Sequence, residues 1–185
     1  MCQFNYITLP EEADVAAVRN IARNFGKKLD AVSDHALLPF LNAGESLYAT
    51  TATGCDCGSC VGCGSQIADP AGDNLERDAR KLAANGWSAG KIARWRTDKA
   101  ATALRDERLR RQRLEDRADE ARAWCNLIRS AVTSATPWIG LIHTWEGAGN
   151  SDLKKEYAEA NAKLDRLDEQ AILYLPRFQL CRFAH

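Results

Sequence analysis

Several kinds of segment are missing from this 185-residue sequence. No apolar run approaches the roughly 20 residues that a helix needs to cross a bilayer. The first ten residues, MCQFNYITLP, have neither the basic lead nor the apolar stretch of a secretion signal. We therefore expect a cytoplasmic protein with no membrane partner, in which thiols stay reduced.

Familiar catalytic motifs are also lacking. The sequence contains no phosphate-binding loop, no HExxH zinc-protease motif and no GxSxG nucleophile motif. Its three histidines, His35, His143 and His185, stand in no recognisable catalytic arrangement. The sequence thus points to a binding or regulatory protein rather than to an enzyme.

What the sequence does contain is a concentration of cysteine. The stretch GCDCGSCVGCG, residues 54–64, holds four of the seven cysteines of the chain. Glycines interleave with these thiols, which predicts a tightly curled, bare loop with nothing to pack against. An odd number of cysteines fits a disulfide framework poorly. The run is therefore interpreted as a set of metal ligands, with structural zinc as the expected metal.

The spacing of the run does not decide which residues would bind zinc. Four ligands from nine residues would require a strongly curled loop, so a more relaxed site would take two or three from the run and one from elsewhere. Cys2 can contribute only if the strands at residues 2–9 and 46–52 are antiparallel, because parallel strands would hold it about 20 Å from Cys55. His143 alternates with apolar residues, so it is also interpreted as a buried core histidine. The candidate ligands are Cys55, Cys57, Cys60, Cys63, Cys2 and His143.

Other interpretations of the run remain open. Cys57, Cys60 and Cys63 match the first three ligands of the bacterial ferredoxin spacing, but residue 67, where the fourth should stand, is isoleucine. A redox-active dithiol is a further alternative, although the following glycines disfavour the helix start that such thiols prefer. The thiols could also bind nothing. Cys125 and Cys181 lie in apolar surroundings and are expected to be buried core residues.

The pattern of apolar residues predicts an α+β fold. Strands are expected at residues 2–9, 46–52, 138–145 and 171–183, the last at an edge or bulge or split in two by Pro176. Helices are expected after Pro10, from Leu75 to about Ala135, and after Ser151 with a stripe of Leu153, Tyr157, Leu164 and Leu167. A small mixed sheet formed by both ends of the chain, with helices packed on it, would then be interrupted by a long helical hairpin or arm.

This organisation divides the chain into three parts. Residues 1–70 form the first part of the α/β domain with the cysteine-rich loop 54–64, residues 74–135 form the helical insertion, and residues 136–185 form the second part. Within the insertion, residues 82–96 resemble the first two helices of helix-turn-helix DNA-binding domains. The second turn and the recognition helix that such domains need are missing after Trp95.

The insertion carries a basic block between acidic flanks. Residues 76–113 have twelve basic and five acidic side chains, whereas residues 1–75 have four and nine, and residues 114–185 have nine and eleven. Such a block can bind nucleic acid weakly through phosphates. Ion pairs four residues apart along a solvated helix explain the same charges. Contact with an acidic protein partner, or self-association through the arm, is the third possibility.

Overall fold

A six-stranded mixed sheet organises the chain, in a computed structural model that describes residues 2–33, 35–51, 54–64, 74–145 and 157–185. The strands are β1 Gln3–Leu9, β2 Asp30–Ala31, β3 Ser46–Ala49, β4 Trp138–Trp145, β5 Ala158–Lys163 and β6 Gln179–Ala184. Their order across the sheet is β2-β3-β1-β4-β6-β5. All neighbours are antiparallel except β5 and β6, which are parallel. The α+β prediction is confirmed.

Five α-helices accompany the sheet in the described part of the chain. They are α1 Val15–Asn24, α2 Asn74–Ala84, α3 Ala89–Glu115, α4 Ala118–Ser134 and α5 Glu169–Leu173. Two short 3-10 helices follow Leu37 and Lys163. Side chains cap the N-termini of several of the α-helices. The Asp14 carboxylate accepts the Ala17 N–H at the start of α1, and the Asp168 carboxylate accepts the Ala171 N–H at the start of α5.

The two faces of the sheet bury different apolar clusters. Tyr6, Leu47, Ile142 and Leu180 point to one face, where Leu37 and Phe178 complete a core. Successive residues of a strand alternate between faces, so their neighbours in sequence are left to the helices on the opposite face. Helix α4 contacts β4, β6, α1 and α5 there. Its buried stripe consists of Ala121, Trp124, Cys125, Leu127, Ile128, Ala131 and Val132.

The described chain falls into two compact units. One comprises Met1–Gln66 and Arg117–His185, and the other comprises Ile67–Asp116. The first contains the sheet with α1, α4 and α5, and the second contains α2 and α3. The long helix expected through the arm ends at Glu115, and α4 begins at Ala118. The apolar C-terminal part of the expected helix corresponds to α4, and its apolar stripe is buried, as the sequence predicts.

The predicted elements near the C-terminus are partly wrong. Residues 158–163 form strand β5, which pairs in parallel with β6, and not a helix. Pairing with β6 satisfies the backbone of this alanine-rich segment and overrides its helical periodicity. Ser151 and Leu153 lie outside the described residues. The expected strand 171–183 is also wrong in its first half, where α5 ends at Leu173 and β6 begins only at Gln179, after Pro176.

The close packing of β1 against β4 generates a test of the fold. Gly140 lies opposite Thr8, and a Cβ at this position would come within 2.1 Å of Thr8 Oγ1 and 2.7 Å of Leu180 Cδ1. We expect Gly140→Ala to lower the free energy of unfolding by about 1–3 kcal/mol, because the side chains of Thr8 and Leu180 would have to shift within the core. Denaturant unfolding followed by tryptophan fluorescence measures this change.

Gly90→Ala is the matched control for this substitution. Gly90 lies in α3 and has no atom within 4 Å of the added Cβ, so the same change should be neutral or stabilising by about 0.5–1 kcal/mol. An equal loss of stability in both variants would contradict the packing of β1 on β4.

Candidate metal centre

The antiparallel pairing of β1 and β3 places the start of one strand beside the end of the other. Tyr6 lies opposite Ala49 and Leu9 opposite Ser46. Cys2, just before β1, therefore stands at the end of the sheet where β3 finishes. The cysteine run begins a few residues after that end. Of the two topologies considered from sequence, this is the one in which Cys2 and Cys55 can meet.

Three of the predicted ligands come together at this end of the sheet. The sulfur atoms of Cys2, Cys55 and Cys57 all lie within 4.8 Å of one another. Cys2 and Cys55 are half-buried, and Cys57 is exposed. No fourth cysteine, histidine, aspartate or glutamate joins this group among the residues that the structure describes. We call these three residues the cysteine triad.

Backbone hydrogen bonds hold the triad loop on the first residue of β1. The Gln3 N–H donates to Cys57 Sγ at 3.3 Å, and the Asp56 N–H donates to the Gln3 carbonyl at 2.7 Å. One backbone hydrogen bond and one bond to sulfur thus attach residues 56 and 57 to β1. An N–H donor directed at a sulfur favours its thiolate form, which is the form that binds metals.

The thiols of the triad affect one another's ionisation. The Gln3 N–H, followed by a hydrogen bond from Cys55, lowers the pKa of Cys57 below its usual value. The pKa of Cys2 is raised, chiefly by the negative charge of the Cys57 thiolate. Several thiolates this close repel one another, so a cation between them would be strongly favoured.

Asp56 belongs to the loop but not to the triad. Its Oδ2 accepts the Asn5 N–H at 2.8 Å, which turns the carboxylate toward β1. Burial raises the pKa of this carboxyl group. The acid inside the CDC motif therefore serves to attach the loop to the sheet.

The second half of the run is packed, which corrects the expectation of a bare loop. Cys60 and Val61 are fully buried. The Gly62 N–H donates to the Ile172 carbonyl at 3.0 Å, and the Gly64 N–H donates to the Leu173 carbonyl at 2.7 Å. These bonds attach the segment to α5. Its apolar contacts come from elements distant in sequence, which composition alone did not indicate.

Glu120, in the first turn of α4, is the main polar anchor of that segment. Its carboxylate accepts the Cys60 N–H at 2.9 Å and the Ser59 hydroxyl at 3.3 Å. The same carboxylate pairs with Lys27 Nζ at 3.1 Å, and Lys27 lies over the Trp124 ring. A second cation, Arg117, stands 4.0 Å from Glu120 and also donates to the Gly58 carbonyl. Sequence reasoning missed Glu120, because it is one acid among many on a charged helix.

The remaining cysteines are held as protonated thiols. Burial raises the pKa of Cys60 far above its usual range, and the nearby Glu120 carboxylate adds to the shift. Burial raises the pKa of Cys63 as well, and raises the pKa of Cys125 and of Cys181 to about 11. Cys60 and Cys63 do not join the triad, so the structure divides the four predicted thiols of the run into two pairs.

His143 lies in the core and is not part of the triad. It is fully buried on β4, and a Cβ added to Gly62 would stand 2.6 Å from its Cδ2. Gly62 has a φ of 67°, so glycine satisfies both the close approach and the left-handed backbone. Burial lowers the pKa of His143 to about 4. Its position agrees with the interpretation as a core histidine.

Comparison with protein-family models, with curated proteins and with solved structures finds no match. Within the described residues, no helix combines the length and the apolar character needed to cross a membrane. What the chain does must therefore be inferred from the geometry of its own side chains.

The buried His143 predicts a particular dependence of stability on pH. The folded chain holds His143 neutral down to about pH 4, whereas an unfolded chain protonates it near about pH 6.5. The unfolded state therefore binds more protons between these values, and stability falls as the pH falls through this window, by at most about 3 kcal/mol.

Denaturant unfolding between pH 7 and pH 4 measures this effect. His143→Gln, which keeps a polar side chain but cannot titrate, should lose the part of the pH dependence that His143 contributes. Identical pH profiles for both proteins would show that His143 is not buried in the neutral form.

Proposed function

We propose that Cys2, Cys55 and Cys57 bind one zinc ion with a structural role, in a cytoplasmic protein that acts by binding rather than by catalysis. The observation that carries the proposal is the approach of the three sulfur atoms to within 4.8 Å of one another. Three clustered thiols without a disulfide are a ligand set that zinc prefers.

The separation of the sulfurs favours a single ion over a cluster. Thiolates that share one zinc at about 2.3 Å lie about 3.8 Å apart in a tetrahedron, and never more than about 4.6 Å. A [4Fe–4S] cluster separates its thiolates further, because each one binds a different iron, and a [2Fe–2S] cluster would place at least one of three thiolates on a second iron. The triad needs only a small contraction to close on one ion.

Three protein ligands leave a fourth position on a tetrahedral ion. Water can fill it, as can a residue outside the described ranges. Catalytic zinc also has this open position, but it works together with a carboxylate or histidine base. Asp56 is the acid of the loop, and its carboxylate already accepts the Asn5 N–H. This arrangement favours a structural ion.

A structural ion would compensate for the weak packing of the first half of the loop. Gly54 to Gly58 contain no apolar residue besides the cysteines, and Gly58 is exposed. Ordering such a segment costs roughly 1–2 kcal/mol per residue in backbone entropy. Bonds from zinc to Cys55, Cys57 and Cys2 would offset that cost and attach the segment to β1.

The exposure of Cys57 favours a second candidate, a redox-active thiol. Cys57 and a neighbouring thiol of the triad would form a disulfide and lose two protons and two electrons to an oxidant such as a peroxide, which is reduced to water. Zinc and the disulfide compete for the same sulfurs, so metal analysis together with the intact mass separates the two functions.

Serine substitutions test the zinc proposal directly. We expect Cys2→Ser, Cys55→Ser and Cys57→Ser each to abolish or strongly weaken zinc binding, because each removes one of three thiolates. Elemental analysis of protein purified without added metal, together with zinc titration against a chromophoric chelator, measures the effect. Circular dichroism verifies that each variant folds.

Cys63→Ser is the matched control, since it removes a half-buried thiol of the same loop outside the triad. It should bind zinc like the parent protein. Zinc loss in Cys63→Ser would contradict the ligand set. A metal-free parent protein with two thiols joined in a disulfide would favour the redox candidate. A brown protein absorbing near about 400 nm would favour a cluster.

A further inference from the structure

The unit formed by α2 and α3 has very little core of its own. Of its described residues, only Ala79 is fully enclosed, and almost every side chain of α3 is exposed. Helix α3 is nevertheless 27 residues long. A helix that is polar on all sides is normally held by ion pairs or by contact with another molecule.

Ion pairs account for only part of the charge of this unit. Residues 74–115 carry twelve basic and six acidic side chains. Arg77 and Lys81 lie beside Asp78, and Arg111 lies beside Glu107. Arg96 binds Glu76 of α2 at 2.9 Å. These contacts leave a large excess of positive charge.

Among the described arginines of α3 that form no ion pair, three share one side of the helix, whereas Arg113 lies about 100° around the helix from Arg94. Arg94, Arg105 and Arg108 are exposed. Within the described residues, no carboxylate oxygen lies within 4.0 Å of a guanidinium nitrogen of these three arginines. With 3.6 residues per turn, the three fall within about 60° of the helix surface and span about 21 Å of its length. We call them the arginine stripe.

The contact between Arg96 and Glu76 shows which way the stripe points. Arg96 lies about 200° around the helix from Arg94, so the stripe is on the side of α3 away from α2. Ala101 and Gln112 share its arc and are small or polar. Asp98 also lies near this arc, but it forms no ion pair with the stripe. The stripe thus presents guanidinium groups without a large apolar anchor between them.

We propose that the arginine stripe binds the phosphate backbone of a nucleic acid. Planar guanidinium groups match the geometry of phosphate oxygens, and release of counterions from the polyanion drives the association. Protein interfaces instead need a central aromatic or aliphatic anchor. The exposed Leu104 and Leu109 lie about 40° beyond either side of the arc, so neither is central to it. Contacts to phosphate alone carry no sequence information, so the stripe binds nucleic acid without base preference.

Binding of the full-length protein to labelled nucleic acid tests the proposal. Fluorescence anisotropy with a duplex DNA of about 20 base pairs, at salt concentrations from about 50 to 200 mM, gives affinity and salt slope. The triple variant Arg94→Gln, Arg105→Gln, Arg108→Gln should weaken binding at least about tenfold and reduce the slope by up to about 3. A single-stranded RNA of the same length shows which form of nucleic acid is preferred.

The control variant Arg77→Gln, Lys81→Gln, Arg96→Gln removes the same charge from residues that already have acidic partners. It should weaken binding much less than the stripe variant, with equal helical content by circular dichroism. Equal weakening in both variants would overturn the stripe, because net charge alone would then explain binding. Absence of binding by the parent protein at about 50 mM salt would also overturn it. Self-association of the parent protein that only the stripe variant loses, without any nucleic-acid binding, would overturn the proposal as well.

Discussion

The rest of the structure depends on the pairing of β1 with strands from both ends of the chain. β1 lies between β3 and β4, antiparallel to both, in the middle of the sheet. This register places Cys2 at the end of the sheet where β3 finishes, and it places Gln3 beside the cysteine-rich loop. A parallel arrangement of β1 and β3 would have separated Cys2 from Cys55 by the length of a strand. The candidate metal centre therefore follows directly from the topology of the sheet.

The cysteine-rich loop is held in two different ways along its length. Its first half is attached to β1 by the hydrogen bonds of Asp56 and Cys57 to Gln3, and it packs few apolar side chains. Its second half is attached by Glu120 and by backbone bonds to α5, and it buries Cys60. The proposed metal would therefore offset the entropy of the first half alone, since the second half already has core contacts.

Strands β1, β3 and β4, and a group of cysteines placed so that it could hold a metal, could be predicted from local patterns. β-branched and aromatic residues mark these strands, and glycine among clustered cysteines marks a ligand loop. The choice of thiols could not be predicted, because it depends on strand register and on a distant carboxylate, Glu120, that anchors Cys60. Strand β5 was missed for a similar reason, since its partner β6 decides its conformation. Local propensity fails where long-range pairing supplies the hydrogen bonds.

Hydrogen exchange with and without a zinc chelator tests the central claim, that a metal holds only the first half of the loop on β1. The account predicts that chelation exposes the amides of Gln3 and Asp56, whose hydrogen bonds lie beside the triad. The amides of Gly62 and Gly64, bonded to α5, should stay protected. Loss of protection across both halves, or no change at Asp56, would contradict the account.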